Sequence, residues 1–234
     1  MNVLVLNGSP KGEASNTMNL TRAFLAGAGY TAETIDVSKL NINYCRGCFA
    51  CWTHTPGKCV IADDMAQILE KLIQSDVIVL SFPLYYYSVP GPLKTLIDRQ
   101  LPLALPEMDE AAEHGDHPAR YDFSKQRHML ISTCGFWTHE GNYKSVIEMF
   151  SRCYGENAFG TLFAGQGNLF NLPNMPEVAE KAGDLLPLIE NYMEVVRTAG
   201  KEWAKGGIQA STSELLAKPI MSKEDYERAA NSSW

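Results

Sequence analysis

The chain has 234 residues, of which 45% are apolar and 20% charged, and its formal net charge is −7. This is the composition of an ordinary globular protein, long enough for one α/β domain with a full core. The 20 basic residues form no cluster and are outnumbered by 27 acidic ones, so we expect no nucleic-acid partner. The apolar run from Val3 to Leu6 is too short for a signal-peptide core, and no stretch approaches the ~18 apolar residues of a membrane helix. We therefore expect a cytoplasmic protein without a membrane partner.

Short apolar runs alternate with helical patterns along the chain. Five runs are predicted as strands, at residues 2–8, 32–37, 76–83, 127–135 and 157–165, and the first of them is predicted to be buried. Apolar residues at helical spacing predict helices at 16–28, 63–75, 92–101, 140–153 and 176–204. Continuous apolar strands that alternate with helices require a sheet covered on both faces, so we expect an α/β fold with a parallel sheet.

Two polar segments depart from this alternation. Residues 102–126 hold three prolines, one glycine and six acidic residues, a composition typical of an exposed insertion or loop. Residues 205–234 are polar and are predicted to pack as a short helix or arm. Because no repeat or interdomain linker is apparent, we expect one domain over residues 1–204, followed by this C-terminal arm.

The sequence NGSPKGEASNT, residues 7–17, links the first predicted strand to the first predicted helix. Ligands of open α/β sheets bind at the carboxyl ends of strands, and a helix N-terminus offers free amides to an anion. The candidate phosphate ligands are Ser9, Lys11, Ser15, Asn16 and Thr17. The loop is neither a Walker A sequence nor a GxGxxG fingerprint. A helix N-cap at Ser15 or Asn16, with a solvated Lys11, explains the same residues without a ligand.

Three segments together resemble the flavodoxin-like NAD(P)H-dependent FMN reductases and quinone reductases. The loop at 7–17 is similar to that family's strand–G-S-P–N-T–helix opening, and SFPLYYYSVPGPLKTLIDR, residues 81–99, is similar to its second segment. STCGFW, residues 132–137, lies where the family has its third flavin loop. The resemblance covers about residues 1–170. It implies a flavodoxin-like, doubly wound, five-stranded parallel sheet with helices on both faces.

The resemblance further implies that FMN lies against the loops after the third and fourth strands. A flavin ring needs apolar walls, aromatic faces and backbone hydrogen bonds, which these loops can supply. The second-loop candidates are Pro83, Leu84, Tyr85, Tyr86, Tyr87 and Ser88, and the third-loop candidates are Thr133, Cys134, Gly135 and Phe136. At least one tyrosine is expected to pack at the strand end instead. Lys94 and Asp98 are expected to pair on a helix surface, and together with Arg99 they are left out of the site.

Four of the six cysteines lie between residues 45 and 59, in CRGCFACWTHTPGKC. Cys45, Cys48, Cys51 and Cys59 have the spacing C-x2-C-x2-C-x7-C, and thiolates two residues apart can turn toward one centre. The segment resembles the compact cysteine motif of iron–sulfur flavoproteins, which implies a 4Fe–4S cluster close to FMN. Three alternatives stay open: thiols that only pack the loop, a redox-active dithiol, and a zinc ion held by four thiolates.

The resemblance implies an FMN enzyme that takes a hydride from NADH or NADPH and passes electrons to a quinone, a flavin or another small acceptor. No catalytic side chain is expected, because the flavin supplies the chemistry. One alternative is an electron carrier between protein partners, and another is a regulator that binds a different phosphate ligand. The family usually forms homodimers or homotetramers. The insertion at 102–126 and the C-terminal arm with Trp203 and Trp234 are candidate interface pieces.

Overall fold

A computed structural model of the chain describes residues 1–110, 115–174 and 183–232. Five parallel strands form one sheet in the order β2-β1-β3-β4-β5. They are β1 Val3–Asn7, β2 Ala32–Asp36, β3 Val77–Pro83, β4 Arg127–Thr133 and β5 Phe159–Ala164. This strand order is that of the flavodoxin-like doubly wound fold, so the predicted fold class is confirmed.

Helices cover both faces of the sheet, as parallel strand connections require. In chain order they are α1 Asn16–Ala28, α2 Ala50–Thr53, α3 Met65–Gln74, α4 Gly91–Asp98, α5 Lys144–Tyr154, α6 Leu185–Trp203, α7 Ala210–Ala217 and α8 Lys223–Asn231. Helices α1, α6 and α7 pack on one face, and α3, α4 and α5 pack on the other. Within the described residues, no helix is long and apolar enough to cross a membrane.

The interior strand β1 shows why strands inside this sheet are continuous apolar runs. Val3 and Val5 face the core under α1 and α6, whereas Leu4 and Leu6 face the core under α3 and α4. All four side chains are buried. A strand covered on both faces has no solvent-facing side on which a polar residue would be favourable.

Several predicted boundaries shift by a few residues. The helix predicted from residue 140 begins at Lys144, because a turn precedes it in which the Asn142 amide donates to the His139 carbonyl at 3.1 Å. The helix predicted at 92–101 ends at Asp98 and is followed by a separate 3-10 turn, Leu101–Leu103. The last predicted helix, 176–204, is observed as α6, and residues 175–182 lie outside the described part of the chain.

Helices α1 and α6 cross with their backbones in contact. A Cβ atom added at Gly27 would lie 1.9 Å from the Arg197 carbonyl oxygen, and one added at Gly200 would lie 2.0 Å from the Phe24 carbonyl oxygen. Next to this crossing, Trp203 is buried, and the Arg127 guanidinium lies over its ring, with Cζ 3.8 Å from the ring centroid. Trp203 is therefore a core residue of the chain, and its predicted place at a subunit interface is wrong. Trp234 lies outside the described residues.

The insertion at 102–126 is an irregular hairpin, of which residues 111–114 lie outside the description. Ala104 and Ala119 form an antiparallel bridge, and the Arg120 Nε donates to the Pro102 carbonyl at 3.1 Å. The hairpin folds over the cysteine segment, where the ring of His117 lies 4.8 Å from that of Trp52.

Candidate functional site

The loop at 7–17 closes over the carboxyl end of β1. Asn7 Oδ1 accepts from the Ser9 amide at 3.1 Å, and Asn7 Nδ2 donates to Asp36 at 2.8 Å. Gly12 has a left-handed conformation, and a Cβ there would lie 2.9 Å from Asp36 Oδ2, so only glycine fits without strain. Burial works to raise the pKa of Asp36, but hydrogen bonds from Lys39 and Asn7 outweigh it and lower the pKa. An ionised Asp36 therefore anchors the loop to β2.

Helix α1 presents unpaired donors at its N-terminus. Its first backbone amides have no intrahelical partner, as in every α-helix. Ser15, the residue before the helix, makes no capping bond, and its hydroxyl has no partner among the described residues. Ser9 and Ser15 are buried, Asn16 is half-buried and Lys11 is exposed. The arrangement suits an anion held by backbone amides and the Ser15 hydroxyl, with Lys11 at the rim.

Two other candidate residues contact each other. The Thr17 hydroxyl lies 2.6 Å from the Thr133 hydroxyl, and both side chains are buried. Beside them, the Thr21 hydroxyl donates to Ser81 at 2.8 Å. This group of hydroxyls holds α1 against the carboxyl ends of β3 and β4. The roles of Thr17 and Thr133 as FMN ligands stay predictions.

The tyrosines form a tight turn directly after β3. Tyr85 and Ser88 exchange two backbone hydrogen bonds, of 3.0 and 2.9 Å. Tyr86 and Tyr87 between them have φ angles of 47° and 59°, in the left-handed region that is strained for bulky residues. Tyr85, Tyr86 and Tyr87 are 48%, 101% and 52% exposed, so the expectation that one of them packs at the strand end is wrong. The turn closes immediately after Leu84 and projects all three rings off the sheet.

The second and third loops form one surface. The Tyr87 ring is nearly parallel to that of Phe136, with an interplanar angle of 13° and ring centroids 5.8 Å apart. The Leu84 amide donates to the Thr133 carbonyl at 2.8 Å, and the Ser145 hydroxyl donates to the Tyr87 carbonyl. Aromatic rings from two loops thus stand together at the carboxyl edge of the sheet.

The third loop directs its carbonyls inward. The carbonyls of residues 134, 135 and 136 accept from the Gly167 amide, the Tyr226 hydroxyl and the Gln166 amide, at 2.8, 2.9 and 2.7 Å. In the part of the chain that is described, the amides of Gly135 and Trp137 have no partner. A flavin edge carries carbonyl oxygens and ring nitrogens that could accept from such amides. Burial raises the pKa of the Cys134 thiol, which favours its neutral form.

The C-terminal segment braces this loop, a role that sequence reasoning missed. Gln166 is buried, and its Oε1 accepts from the amides of Ile220 and Met221 at 2.9 and 3.0 Å. Its Nε2 donates to the Met221 carbonyl at 3.0 Å, and so does the Trp137 indole. A lone glutamine and a polar tail carry no motif, so no signal in the sequence points to this contact.

The four clustered cysteines line one pocket, together with Arg99, Pro102 and other side chains. Cys51 lies on α2 and is buried, Cys45 and Cys59 are half-buried, and Cys48 is exposed. All four are free thiols. Burial raises the pKa of Cys51, and the neighbouring thiols raise it further. The predicted metal residues are therefore brought together around one space.

The spacing of these thiols argues for one kind of centre over another. Within residues 1–110, 115–174 and 183–232, no three His, Cys, Asp or Glu side chains lie close enough to hold a single metal ion. Four thiolates bound to zinc at about 2.3 Å would have their sulfurs about 4 Å apart. As they stand, these thiols therefore form no single-metal site, and thiolates around one pocket are the donor type that an iron–sulfur cluster uses.

Arg99 lies against this pocket and was not expected there. Lys94 and Asp98 pair on the surface of α4 at 2.6 Å, as predicted, but Arg99 turns inward and is only 1% exposed. It forms a two-pronged ion pair with Asp63 at 2.8 and 2.9 Å. Burial works to raise the pKa of Asp63, but the bonds from Arg99 and Asn43 hold it well below its usual range. The pair ties α4 to the start of α3.

Comparison with known proteins shows which family the N-terminal half of the chain resembles. The family described as NADPH-dependent FMN reductase matches residues 1–114, about half of the chain. An iron–sulfur flavoprotein of Archaeoglobus fulgidus is 36% identical over 104 residues, which are 44% of this chain and 46% of that protein. An FMN-dependent NADH:quinone oxidoreductase of Pseudoalteromonas atlantica is 32% identical over 108 residues, or 42% of this chain and 54% of that one.

These sequence matches span about half the length of the relatives. Among solved structures, an NAD(P)H:quinone oxidoreductase from Methanothermobacter marburgensis superimposes with a TM-score of 0.60 at 17% identity, over 87% of this chain and 96% of that one. At that identity the likeness supports the fold alone. Residues 1–114 carry the pattern of the NADPH-dependent FMN reductase family, and the resemblance stated from the sequence is confirmed.

Proposed function

We propose that the protein is an FMN-dependent NAD(P)H oxidoreductase that passes electrons to a quinone, a flavin or another small acceptor in the cytoplasm. The observation that carries the proposal is the convergence of three loops at the carboxyl ends of β1, β3 and β4. They contribute an anion site, an aromatic surface and unpaired amides, which are the three parts that a flavin mononucleotide needs. Bound FMN would supply the hydride chemistry.

The chain's own residues would bind and orient this cofactor. The α1 N-terminus and Ser15 offer donors for the phosphate, and the amides of Gly135 and Trp137 offer donors for the edge of the ring. The surface formed by Tyr87 and Phe136 offers an apolar wall. No side chain is assigned a proton-transfer role. Donor and acceptor would occupy the same open surface in turn, so we expect ping-pong kinetics, and a ternary-complex pattern would contradict this part of the proposal.

We also propose that Cys45, Cys48, Cys51 and Cys59 hold a 4Fe–4S cluster, which would supply one-electron transfer. Two observations support it: these thiols border one pocket, and relatives in Archaeoglobus and Methanocaldococcus are named iron–sulfur flavoproteins. The same pocket favours a second candidate function, an electron carrier between protein partners. Rapid oxidation of NADH or NADPH with a quinone separates the enzyme from the carrier. A homodimer or homotetramer, with the insertion at 102–126 at its interface, completes the proposal.

The test combines cofactor binding with turnover. We expect apoprotein to quench FMN fluorescence at one site and to gain NAD(P)H:quinone activity on reconstitution. Ser15→Ala should weaken FMN binding about tenfold, because one hydrogen bond to a charged phosphate contributes about 1.5 kcal/mol. Ser211→Ala, an exposed serine on α7, is the matched control. Protein that stays colourless after reconstitution would support the regulator class and refute the oxidoreductase.

A further inference from the structure

Arg99 carries an unusual buried atom. Its Nε is inaccessible to solvent and has no hydrogen-bond partner, and it is the one fully inaccessible side-chain nitrogen or oxygen without a partner among the residues that the structure describes. Leaving a buried donor of a charged group unpaired costs more free energy than leaving a neutral one unpaired. A protein that keeps such a donor has a use for it or covers it with a group that arrives later.

The other two nitrogens of this guanidinium are both hydrogen-bonded. Nη1 donates to the Asn43 carbonyl at 2.6 Å and to Asp63 at 2.8 Å, and Nη2 donates to Asp63 at 2.9 Å. Asp63 is itself held by the amides of Asn43 and Met65, at 2.9 and 3.2 Å. Because the guanidinium is planar, these contacts fix the direction of the Nε–H bond. The donor is therefore preorganised.

The unpaired donor borders the cysteine pocket. Arg99 lines that pocket together with Cys59. The Cys59 side chain interacts with the Arg99 guanidinium across this pocket. Arg46 also lines the pocket, but its side chain is exposed, and water screens its charge.

We propose that Arg99 donates an Nε–H···S hydrogen bond to the Cys59 sulfur when that thiolate ligates the cluster. The inference rests on the cluster proposed above. A hydrogen bond to a ligating sulfur withdraws negative charge from the cluster, which favours the reduced state and raises the reduction potential. Arg99 is thus a positioning residue that tunes the centre through Cys59, and Asp63 holds Arg99 in the required orientation.

The experiment compares anaerobically purified wild type, Arg99→Lys and Arg46→Lys, each assayed for iron and titrated potentiometrically. Lysine keeps the positive charge but removes the rigid Nε donor. We expect a lower midpoint potential for Arg99→Lys and an unchanged one for Arg46→Lys. An iron-loaded Arg99→Lys protein with the wild-type potential would overturn the inference while leaving the cluster itself intact.

A second measurement needs no change at Arg99, in case Arg99→Lys fails to fold or to load iron. The protein is expressed in cells supplied with arginine that carries 15N at Nε, and its cluster is then reduced. Pulsed electron paramagnetic resonance measures the coupling of this 15N to the cluster. We expect a coupling that persists in Arg46→Lys. An iron-loaded wild type without this coupling refutes the hydrogen bond alone, whereas a wild type without iron refutes the cluster proposal and this inference with it.

Discussion

Replacing Gln166 with alanine should release the C-terminal segment from the third loop. The Gln166 side chain makes three hydrogen bonds to residues 220 and 221, of 2.9, 3.0 and 3.0 Å. Each bond contributes a net stabilisation of about 1 kcal/mol. Ile220 and Met221 are half-buried, so water can partly replace the lost partner. We therefore expect the free energy of local opening to fall by about 2 kcal/mol, less than the sum of the three bonds.

Amide hydrogen exchange measures this loss at the two donors themselves. A loss of 2 kcal/mol corresponds to an exchange rate about 30-fold faster for the Ile220 and Met221 amides. Amides of the interior strand β1 should keep their protection, because they report global unfolding. Gln74→Ala, which truncates an exposed glutamine at the end of α3, is the matched control and should change neither set.

Two outcomes of this exchange experiment would contradict the prediction. If Ile220 and Met221 exchange at the wild-type rate in Gln166→Ala, the three bonds do not hold the segment, and its packing alone does. If β1 loses protection equally, the effect is global, and the segment is not a separately opening brace for the third loop.

Three further predictions concern pH, packing and the flavin loop. Burial lowers the pKa of His128 to about 4 in the folded chain, against about 6.5 in the unfolded chain. The neutral side chain therefore contributes stability that is fully present above about pH 6.5 and is lost as the pH falls toward 4. Between pH 7 and 4, the free energy of unfolding should therefore fall by about 3 kcal/mol less in His128→Phe than in wild type, as measured by urea titration. Equal falls in the two proteins would contradict this. Gly27→Ala should destabilise the chain by at least about 3 kcal/mol, because its Cβ meets the backbone of α6, whereas Gly91→Ala, with open space around it, should be nearly neutral in thermal melts. Tyr226→Phe should weaken FMN binding about fivefold in fluorescence titrations by releasing the Gly135 carbonyl, and unchanged affinity would remove α8 from the site.

Much of the fold follows from local sequence signals. The sequence predicts α1 to the residue, because Ser15 and Asn16 suit a helix start and Gly29, in a left-handed conformation, suits its end. Most of the strands are predictable because they are short apolar runs between helical patterns, whereas β2, which carries Glu33 and Asp36, lies at the sheet edge. The positions of the three candidate ligand loops follow in turn, since parallel strands bring their carboxyl ends to one edge.

The parts that sequence reasoning missed depend on distant partners. Arg99 pairs with Asp63, 36 residues away, and nothing in the LIDR stretch distinguishes an inward arginine from a surface one. Gln166 bonds to Ile220 and Met221, which lie 54 and 55 positions further along the chain. The tyrosine turn is a different case, because bulky residues rarely adopt the left-handed backbone conformation that Tyr86 and Tyr87 have. Local propensity therefore does not predict this turn, and the sequence predicts a packed tyrosine where the structure has three exposed rings.

An absorption spectrum of anaerobically purified protein, with iron, acid-labile sulfide and FMN assayed on the same sample, tests for the proposed flavin and the proposed cluster in one experiment. We expect flavin bands with a broad shoulder near ~400 nm, about one FMN and about four irons per chain. Flavin without iron would contradict the cluster and leave an FMN oxidoreductase whose cysteine pocket has another purpose. A sample that contains no flavin and binds none on reconstitution would contradict the account as a whole.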